Sequence, residues 1–252
     1  MLSNAKLKFL RSLSRKKVRA ENRQFLVEGL NAVEEAVAAG LARELYLEAD
    51  LDSARANAIL AHGVPSIEID AADVKELTQT QTPTGAFALV DDPCAPYREF
   101  ALAESALFLL AAGVADPGNL GTLIRTAAAL GVDGVICAPN TVEPLNPKVV
   151  RATAGALFRV PVLSGTVEEV RESGCALFVA DASGEPLAKV ADRPARVALV
   201  VGNEPRGVDA AVRLAADKTV AVELARGVES LNVAVAAGIL LHGLAAMAVS
   251  AS

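Results

Sequence analysis

Apolar and polar positions recur along the chain with two periods, one typical of strands and one typical of helices. Short apolar runs bounded by turn residues predict strands, whereas apolar residues three or four positions apart over longer segments predict helices. In the first part of the chain, strands are predicted at residues 25–28, 44–48, 66–69 and 86–90. Helices are predicted between them at residues 30–39, 52–62 and 71–77. This alternation predicts an α/β fold.

The same alternation resumes after a short segment that lacks it. Residues 91–98 combine prolines with charged side chains, which is typical of a linker. Beyond it, strands are predicted at residues 107–112, 134–138, 160–163, 176–180, 197–201 and 219–222, and helices at residues 120–130, 147–154, 167–173, 209–216 and 231–247. We therefore expect a first domain at residues 1–90, a linker at 91–105 and a second domain at 106–252. Taken alone, the pattern predicts an unknotted, doubly wound parallel sheet, because threaded chains are very rare.

The charges are distributed unevenly along the chain. The chain has 252 residues, of which 52% are hydrophobic, and a formal net charge of −6, which is typical of a soluble protein with a well-packed core. Residues 1–30, however, hold eight basic and two acidic side chains. Such a basic arm favours contacts with a polyanion such as RNA, and the alternative is a solvated helix face. The candidate RNA contacts in this segment are Lys6, Lys8, Arg11, Arg15, Lys16, Lys17 and Arg19.

Several classes of protein are not supported by the sequence. The three cysteines are widely spaced and odd in number, so we expect no disulfide framework, no metal site and a reducing, cytoplasmic location. Residues 233–252 carry no charge but are only weakly apolar, so we expect no membrane span and instead a helix buried against another protein surface. With only His62 and His242 in the chain, a Ser-His-Asp hydrolase is not expected. Val208 stands where a phosphate-binding loop requires lysine.

Three polar turns adjoin apolar strands or helices of the second predicted domain. Asn119 and Arg125 lie at the start of one apolar helix, and residues 202–207 (GNEPRG) directly follow a predicted strand. Ser230 and Asn232 open the last helix, where a serine is by default the N-cap residue that satisfies a free backbone N–H. Turns of this kind meet at one edge of a parallel sheet, so the three turns predict a shared site.

In this order, the patterns N-x-G-x-x-x-R, G-N-E-x-x-G and S-L-N resemble the motifs of the SpoU/TrmH family of RNA ribose 2'-O-methyltransferases, which is part of the SPOUT superfamily. Residues 146–161 (NPKVVRATAGALFRVP) are also similar to a family segment, so the resemblance covers residues 106–252. One departure is visible, because the family usually has an Ile-Pro-Met-like run where residues 222–227 read VELARG. Backbone contacts of that run are compatible with the family pattern, whereas its side-chain contacts differ.

The resemblance implies a fold, a cofactor and an assembly. The implied fold is α/β, with a C-terminal SPOUT domain that has a parallel sheet and a deep trefoil knot, preceded by a small α/β RNA-binding domain of the ribosomal protein L30e type. The loops of the knot would form the pocket for S-adenosyl-L-methionine, and no metal is needed. The family also pairs through its C-terminal helices, which implies a homodimer built on residues 231–247.

Particular residues acquire roles from the same resemblance. The implied catalytic residues are Asn119, Arg125, Glu204, Ser230 and Asn232. The implied cofactor-binding residues are Gly202, Asn203, Glu204, Gly207, Val222, Leu224, Ser230 and Leu231. The implied RNA contacts of the second domain are Arg125, Lys148 and Arg151.

Arg125 is expected to hold an RNA phosphate and to favour ionisation of the ribose hydroxyl. A guanidinium stays charged and is a poor proton acceptor. The general base is therefore left open between Arg125, Ser230 and Glu204. Arg125 lies six residues after Asn119, which we interpret as two turns along roughly the same side of the helix.

The expected function is S-adenosylmethionine-dependent 2'-O-methylation of a ribose in RNA, with 23S ribosomal RNA as the expected substrate. Transfer RNA is the alternative substrate. A non-catalytic RNA-binding protein of the same fold is a second alternative, which a cofactor titration would distinguish. A small-molecule α/β enzyme is a third, for which the basic segment would have no use.

Overall fold

The computed structural model describes residues 2–49, 51, 53–204, 206–247 and 249. The chain forms two compact units. The first consists of the residues up to Pro93 together with Leu145–Arg159, and the second of Cys94–Pro144 together with the residues from Val160 onward. Residues 145–159 thus belong to the first unit, although they follow the start of the second in sequence. The functional boundaries at residues 90 and 106 stay a prediction.

The first unit contains a mixed four-stranded sheet. Its strands are β1 (Gln24–Glu28), β2 (Ala42–Glu48), β3 (Ser66–Ile69) and β4 (Ala86–Asp91). Strand β4 runs antiparallel between β1 and β2, and β3 pairs with β2 in parallel. The helices of this region are α1 (Asn4–Ser12), α2 (Lys16–Asn22), α3 (Leu30–Ala38), α4 (Ser53–Leu60) and α5 (Ala71–Leu77). The predicted elements are confirmed, except that the predicted helix start at residue 52 lies outside the described residues.

Helices α1 and α2 were not predicted, because the sequence pattern in this segment is dominated by basic residues. The Ser3 hydroxyl accepts a hydrogen bond from the Lys6 backbone N–H at 3.2 Å and caps α1. Leu10 and Leu13 are each 1% exposed and pack in the core of the first unit with Tyr46. The basic segment is therefore a folded part of this unit, which corrects its description as an arm.

The second unit contains a seven-stranded sheet whose neighbouring strands are all parallel. Its strands are β5 (Ala95–Pro96), β6 (Ala106–Ala111), β7 (Gly134–Cys137), β8 (Val162–Ser164), β9 (Ala176–Pro186), β10 (Arg196–Val201) and β11 (Lys218–Ala221). Their order in the sheet is β11-β9-β10-β6-β7-β8-β5. The remaining helices are α6 (Pro117–Ala129), α7 (Pro147–Thr153), α8 (Val167–Glu172), α9 (Ala210–Leu214) and α10 (Val233–Ala246), of which α7 belongs to the first unit. These predicted elements are all present, and β9 runs six residues past its predicted end.

Strand β5 lies in the segment that was predicted to be a linker without structure. It pairs in parallel with Leu163 and Ser164 of β8 at the edge of the sheet. The next residue, Tyr97, is 3% exposed, and its ring contacts Phe108 edge to face at 5.8 Å. Proline removes a backbone donor but is tolerated on an edge strand. The prolines in this segment therefore mark an edge strand, which corrects the prediction for residues 91–98.

The centre of the seven-stranded sheet is covered on both faces. All six residues of β6 are buried, and β10 beside it has five buried residues in succession. Strands buried on both faces are typical of parallel sheets packed between helices. Because the strands are parallel, the segments that leave their carboxyl ends lie along one edge, where this fold class places its sites.

The C-terminal helix α10 has two different faces. Ala234, Ala237 and Leu240 are buried, whereas Val235 and Ile239 are 51% and 47% exposed. The helix begins at Val233 and is capped by Asn232, whose side chain accepts from the backbone N–H groups of Ala234 and Val235. The default assignment of Ser230 as the N-cap is therefore wrong. Within the described ranges, no helix is both long and apolar enough to cross a membrane.

Candidate functional site

A cavity of about 430 Å³ lies at the carboxyl edge of the parallel sheet. It is formed by residues 180–182 within β9, by the ends of β10 and β11 with the segments that follow them, and by the start of α10. All eight residues that were predicted to bind the cofactor line it, together with Asn232. The sequence did not single out the other residues of the lining, which are Ala180, Asp181, Ala182, Val201, Val220, Ala221, Val233, Ala236 and Leu240.

The turn after β10 is closed by its own backbone. The Asn203 N–H donates to the Gly207 carbonyl at 3.0 Å, and the Gly207 N–H donates to the Asn203 carbonyl at 2.7 Å. A Cβ atom on Gly202 would lie 2.3 Å from the carbonyl carbon and oxygen of Gly207, so this position has no room for a side chain. Gly207 itself has φ of 66°, a conformation that glycine adopts without strain. Both glycines are needed for this wall of the cavity to form.

Three of the predicted catalytic residues form one hydrogen-bonded cluster at the solvent-exposed border of the cavity. Asn232 Nδ2 donates to Asn119 Oδ1 at 2.9 Å, and Asn119 Nδ2 donates to Glu204 Oε1 at 2.8 Å. These bonds join residues that are 113 and 85 positions apart in the sequence. We call Asn119, Glu204 and Asn232 the amide–carboxylate cluster.

The orientation of both amide groups in the cluster follows from the backbone. Asn232 Oδ1 accepts from the Ala234 N–H at 2.9 Å, so the Asn232 amide nitrogen must face Asn119. Asn119 then presents its oxygen to Asn232 and its nitrogen to Glu204. Only one arrangement satisfies every donor and acceptor. The cluster therefore ends at the Glu204 carboxylate, which Asn119 holds in place and which has lone pairs left to accept a further hydrogen bond or a proton.

Ser230 and Arg125 stand outside this cluster. Ser230 is exposed and lines the cavity. Arg125 is exposed on α6 and is not among the lining residues of the cavity. Six residues are about one and two-thirds turns of an α-helix, so Arg125 and Asn119 point in directions about 120° apart. The expectation that they share a side of the helix was wrong, because the spacing is not a whole number of turns.

Asp181 is a polar residue of the cavity wall that the sequence reasoning missed. Its Oδ1 accepts from the Ser183 N–H at 2.9 Å and the Ser183 hydroxyl at 2.7 Å, and its Oδ2 lies 2.6 Å from Arg213 Nη2. Burial raises the pKa of Asp181, but the bonds from Ser183 and the charge of Arg213 outweigh it and hold this pKa below its usual value. Arg213 Nε also donates to the Val208 carbonyl at 3.0 Å. The available signal was an acid directly after the apolar residues of β9.

The predicted RNA contacts of the basic segment differ in their surroundings. Lys8, Arg15 and Lys16 are exposed, and no ion pair is found for them within the described part of the chain. By contrast, Arg19 is 3% exposed, and its guanidinium donates to the carbonyls of Leu13 at 2.7 Å and Ser14 at 2.8 Å. Arg19 therefore supports the turn between α1 and α2, which corrects its assignment to RNA.

The other basic side chains of this segment have acidic neighbours. Lys6 pairs with Glu44 and lies 5.7 Å from the ring centroid of Tyr46. Arg11 pairs with Glu76, and Lys17 Nζ is 3.8 Å from Glu21 Oε1. The pairs of Arg11 and Lys17 are exposed, whereas that of Lys6 is half-buried. Exposed pairs contribute little to stability, so Arg11 and Lys17 remain available to a phosphate.

Lys148 and Arg151, the two basic residues predicted to contact RNA near the pocket, lie on α7 in the first unit. Lys148 is exposed, and Arg151 Nη1 donates to Gln79 Oε1 at 3.3 Å. The segment is held within this unit by Arg159, which forms an ion pair with Glu35, and by Phe158, whose ring stacks 6.2 Å from that of Phe25. Both candidate RNA contacts are therefore part of the same unit as the basic segment.

The protein-family comparisons match both parts of the chain. The model of the SpoU rRNA Methylase family matches residues 106–242, and that of the MRM3-like substrate binding domain matches residues 4–88. A Bacillus subtilis protein named 23S rRNA (guanosine(2553)-2'-O)-methyltransferase RlmP is 36% identical over 247 residues, which cover 96% of each chain.

Two solved structures are similar to the chain over almost its whole length. The AdoMet-bound rRNA methyltransferase from Sinorhizobium meliloti is 27% identical, with a TM-score of 0.85 over 97% of this chain and 95% of that one. The SpoU methyltransferase AviRb from Streptomyces viridochromogenes, in complex with AdoMet, is 29% identical, with a TM-score of 0.84 over 96% and 97% of the two chains. The α/β fold with its parallel sheet is thus that of SpoU methyltransferases.

Proposed function

Because the chain belongs to the SpoU rRNA Methylase family, we propose that it transfers a methyl group from S-adenosyl-L-methionine to the 2'-hydroxyl of a ribose in RNA. The observation that carries this proposal is the cavity bordered by the amide–carboxylate cluster. The Bacillus subtilis relative supports 23S ribosomal RNA as the substrate. The two AdoMet-bound structures of similar fold support the cofactor.

The cavity suits S-adenosylmethionine in size, charge and surface. Its volume of about 430 Å³ is within the range of small-ligand pockets, about 300–1,000 Å³. The ligand carries a positive sulfonium, a positive ammonium and a negative carboxylate group, and the wall holds Asp181, whose carboxylate is also bonded to Ser183 and Arg213. The side chains of Val222, Leu224 and Leu231 add half-buried apolar surface. When bound there, S-adenosylmethionine supplies the methyl group.

The protein's own residues position the ribose and receive its proton. Of the three candidate bases, Glu204 is the one whose side chain is held in the amide–carboxylate cluster. We therefore assign the proton of the 2'-hydroxyl to Glu204, with Asn119 fixing the carboxylate and Asn232 fixing Asn119. Arg125 is assigned to an RNA phosphate, because it is exposed on the helix that carries Asn119. In-line placement of the hydroxyl by these residues would lower the barrier to methyl transfer.

The proposed domain roles follow the same division of the chain. We propose that residues 1–90 form an RNA-binding domain of the ribosomal protein L30e type and that residues 106–252 form the methyltransferase domain, with a deep trefoil knot at the cavity. The match of residues 4–88 to a substrate binding domain supports the first role. We also propose that the protein acts in the cytoplasm.

A homodimer is the proposed assembly. Val235 and Ile239 lie four residues apart on α10, so they form an apolar stripe on its exposed face. The opposite face of the helix is occupied by the protein's own core. A second copy of the chain would cover the exposed stripe.

The function is tested by methyl transfer in solution. Purified protein and radiolabelled S-adenosylmethionine are incubated with 23S rRNA, with transfer RNA or without RNA, in the presence of a chelator. We expect label in 23S rRNA at a ribose 2'-oxygen, at a rate unaffected by the chelator. Label in transfer RNA alone would show that transfer RNA, and not 23S rRNA, is the substrate. If calorimetric titration detects no binding of S-adenosylmethionine, the alternative of a non-catalytic RNA-binding protein is supported.

Glu204→Gln tests the assignment of the base. This change keeps an oxygen for Asn119 but removes the carboxylate, so we expect a loss of methyl transfer of at least about 100-fold. Cofactor affinity should change little. Wild-type rates in Glu204→Gln across the pH range would exclude Glu204 as the proton acceptor.

A further inference from the structure

A second cavity, of about 910 Å³, lies beside the first at the carboxyl edge of the parallel sheet. It is bordered by segments that follow β6, β7, β8 and β10, including Gly113, Asn140, Glu168 and Arg206. Strands β6 and β10 are neighbours, with β7 on one side of the pair and β9 on the other. In open parallel sheets, ligands bind where the strand order reverses in this way. The proposed cofactor cavity lies elsewhere along the edge, which leaves this crevice without a role.

The two cavities share one wall. Asn203 and Gly207 line both of them. Asp181 lines the first and Arg213 the second, and these two side chains form an ion pair at 2.6 Å. Glu204 of the amide–carboxylate cluster directly follows Asn203, so their Cα atoms are about 3.8 Å apart. A single nucleotide therefore has the reach to place its ribose at Glu204 and its base in the second cavity.

The second cavity contains polar groups without partners. Asn203 Nδ2 donates to the Gly113 carbonyl at 3.2 Å, which fixes the amide, and Asn203 Oδ1 is buried with no hydrogen-bond donor. Glu168 and Arg206 are exposed, and neither has an ion pair or side-chain hydrogen bond within the described part of the chain. Asp209, by contrast, is engaged as the cap of α9. The cavity thus offers an exposed carboxylate and an exposed cation to a ligand, and Asn203 adds a buried acceptor that lacks a donor.

These groups are complementary to one kind of nucleobase. Guanine offers neighbouring N1–H and N2–H₂ donors on one edge and the O6 and N7 acceptors that arginine prefers on another. A carboxylate accepts from two adjacent donors at once, as Glu168 would do here. Adenine, cytosine and uracil each lack the pair of adjacent donors. A buried acceptor without a donor is costly, so a base that supplies an N–H to Asn203 gains from filling this position.

We propose that the second cavity binds the guanine base of the nucleotide whose 2'-hydroxyl is presented to the amide–carboxylate cluster. The base leaves the stack of the RNA to reach it, as in other proteins that read unpaired RNA. Glu168 accepts from the N1–H and N2–H₂ groups, and Arg206 donates to O6. The inference rests on the proposed function for the identity of the reacting ribose.

The test compares guanosine with inosine, which lacks only the 2-amino group. Two fragments of 23S rRNA are synthesised with guanosine or inosine at position 2553, the nucleotide named for the Bacillus subtilis relative. Binding is measured by fluorescence anisotropy with S-adenosylhomocysteine present, and methyl transfer is measured separately. For the wild type we expect about 5- to 100-fold tighter binding of the guanosine fragment, the range of one good polar pair.

Glu168→Gln is the test variant and Glu172→Gln the matched control. Both residues are exposed glutamates of α8, but only Glu168 lines the second cavity. In Glu168→Gln, the affinities for the guanosine and inosine fragments should differ by no more than about twofold. In Glu172→Gln, the ratio of the two affinities should stay at its wild-type value. Neither change should alter the affinity for S-adenosylmethionine, since neither residue lines the first cavity.

The outcomes separate this inference from the proposed function. The guanine site is overturned if the wild type binds the guanosine and inosine fragments equally well, or if Glu168→Gln keeps the wild-type ratio of the two affinities. Either result counts even if methyl transfer is observed. A ratio that depends on Glu168 supports the site even if no methyl group is transferred, in which case the proposed function is what fails.

Discussion

Asn232 links the stability of α10 to the geometry of the proposed catalytic residues, and two substitutions separate these roles. Its Oδ1 accepts from the backbone N–H groups of Ala234 at 2.9 Å and Val235 at 3.4 Å, and its Nδ2 donates to Asn119 at 2.9 Å. Asn232→Asp keeps the accepting oxygen of the cap but removes the donor. Asn232→Ala removes both.

The expected magnitudes follow from these contacts. In Asn232→Asp, a carboxylate oxygen faces Asn119 Oδ1, so two acceptors meet without a donor. If the Asn119 amide turns over to donate to Asp at position 232, its oxygen faces the Glu204 carboxylate, and the same conflict arises there. Disturbing a hydrogen bond in a charged cluster costs about 1.5–3 kcal/mol, which is about 10- to 100-fold in kcat/KM. The melting temperature should stay near that of the wild type, because aspartate is as good a cap as asparagine. Asn232→Ala should lose about 1 kcal/mol of stability in addition, or about 2–4 °C.

Asp70→Ala is the matched control for the loss of a cap. Asp70 Oδ1 accepts from the backbone N–H groups of Ala72 at 3.0 Å and Asp73 at 2.9 Å at the start of α5, in the first unit. This variant should lose about as much stability as Asn232→Ala and keep the wild-type kcat/KM. Initial rates of methyl transfer and thermal unfolding give both quantities. The reasoning is refuted if Asn232→Asp transfers methyl groups within about twofold of the wild-type rate.

Three further outcomes are expected. Gly202→Ala should abolish cofactor binding in calorimetry, because its Cβ would lie 2.3 Å from backbone atoms at the other end of the turn; wild-type affinity would show that the turn can open without loss. Arg19→Met should cost about 2–4 kcal/mol in unfolding, because the buried Leu13 carbonyl and the part-buried Ser14 carbonyl lose their donor. Lys16→Met should leave stability unchanged and reduce the salt slope of RNA binding by about one; equal effects would contradict the different surroundings of the two side chains. Ile239→Glu should give a folded monomer in light scattering, whereas Ala237→Glu, at a position that is 0% exposed, should unfold the chain; a dimeric Ile239→Glu would place the interface elsewhere.

The sequence by itself determined the local elements and grouped the residues of the cavity. Apolar runs such as β10 and the periodic segments of α3 and α5 were located because burial of one strand or one helix face leaves its period in the chain. The turn at residues 202–207 and the segment at 230–232 were placed at a common edge because parallel strands bring their carboxyl ends together. Both signals arise within short stretches of the chain, so they can be recognised in the sequence alone.

Only the tertiary structure decided which side chains meet. The bond between Asn119 and Asn232 spans 113 residues, and the order β11-β9-β10-β6-β7-β8-β5 that permits it has no trace in local periodicity. Burial likewise distinguished Arg19, which is buried, from Lys16, which is exposed, although both lie in the same basic segment of the sequence. Asp181 became part of the cavity wall because β9 lies between β10 and β11 in the sheet. Hydrophobic pattern records whether a position is buried, whereas pairing between distant segments depends on the packing of the whole sheet, which no local stretch of sequence specifies.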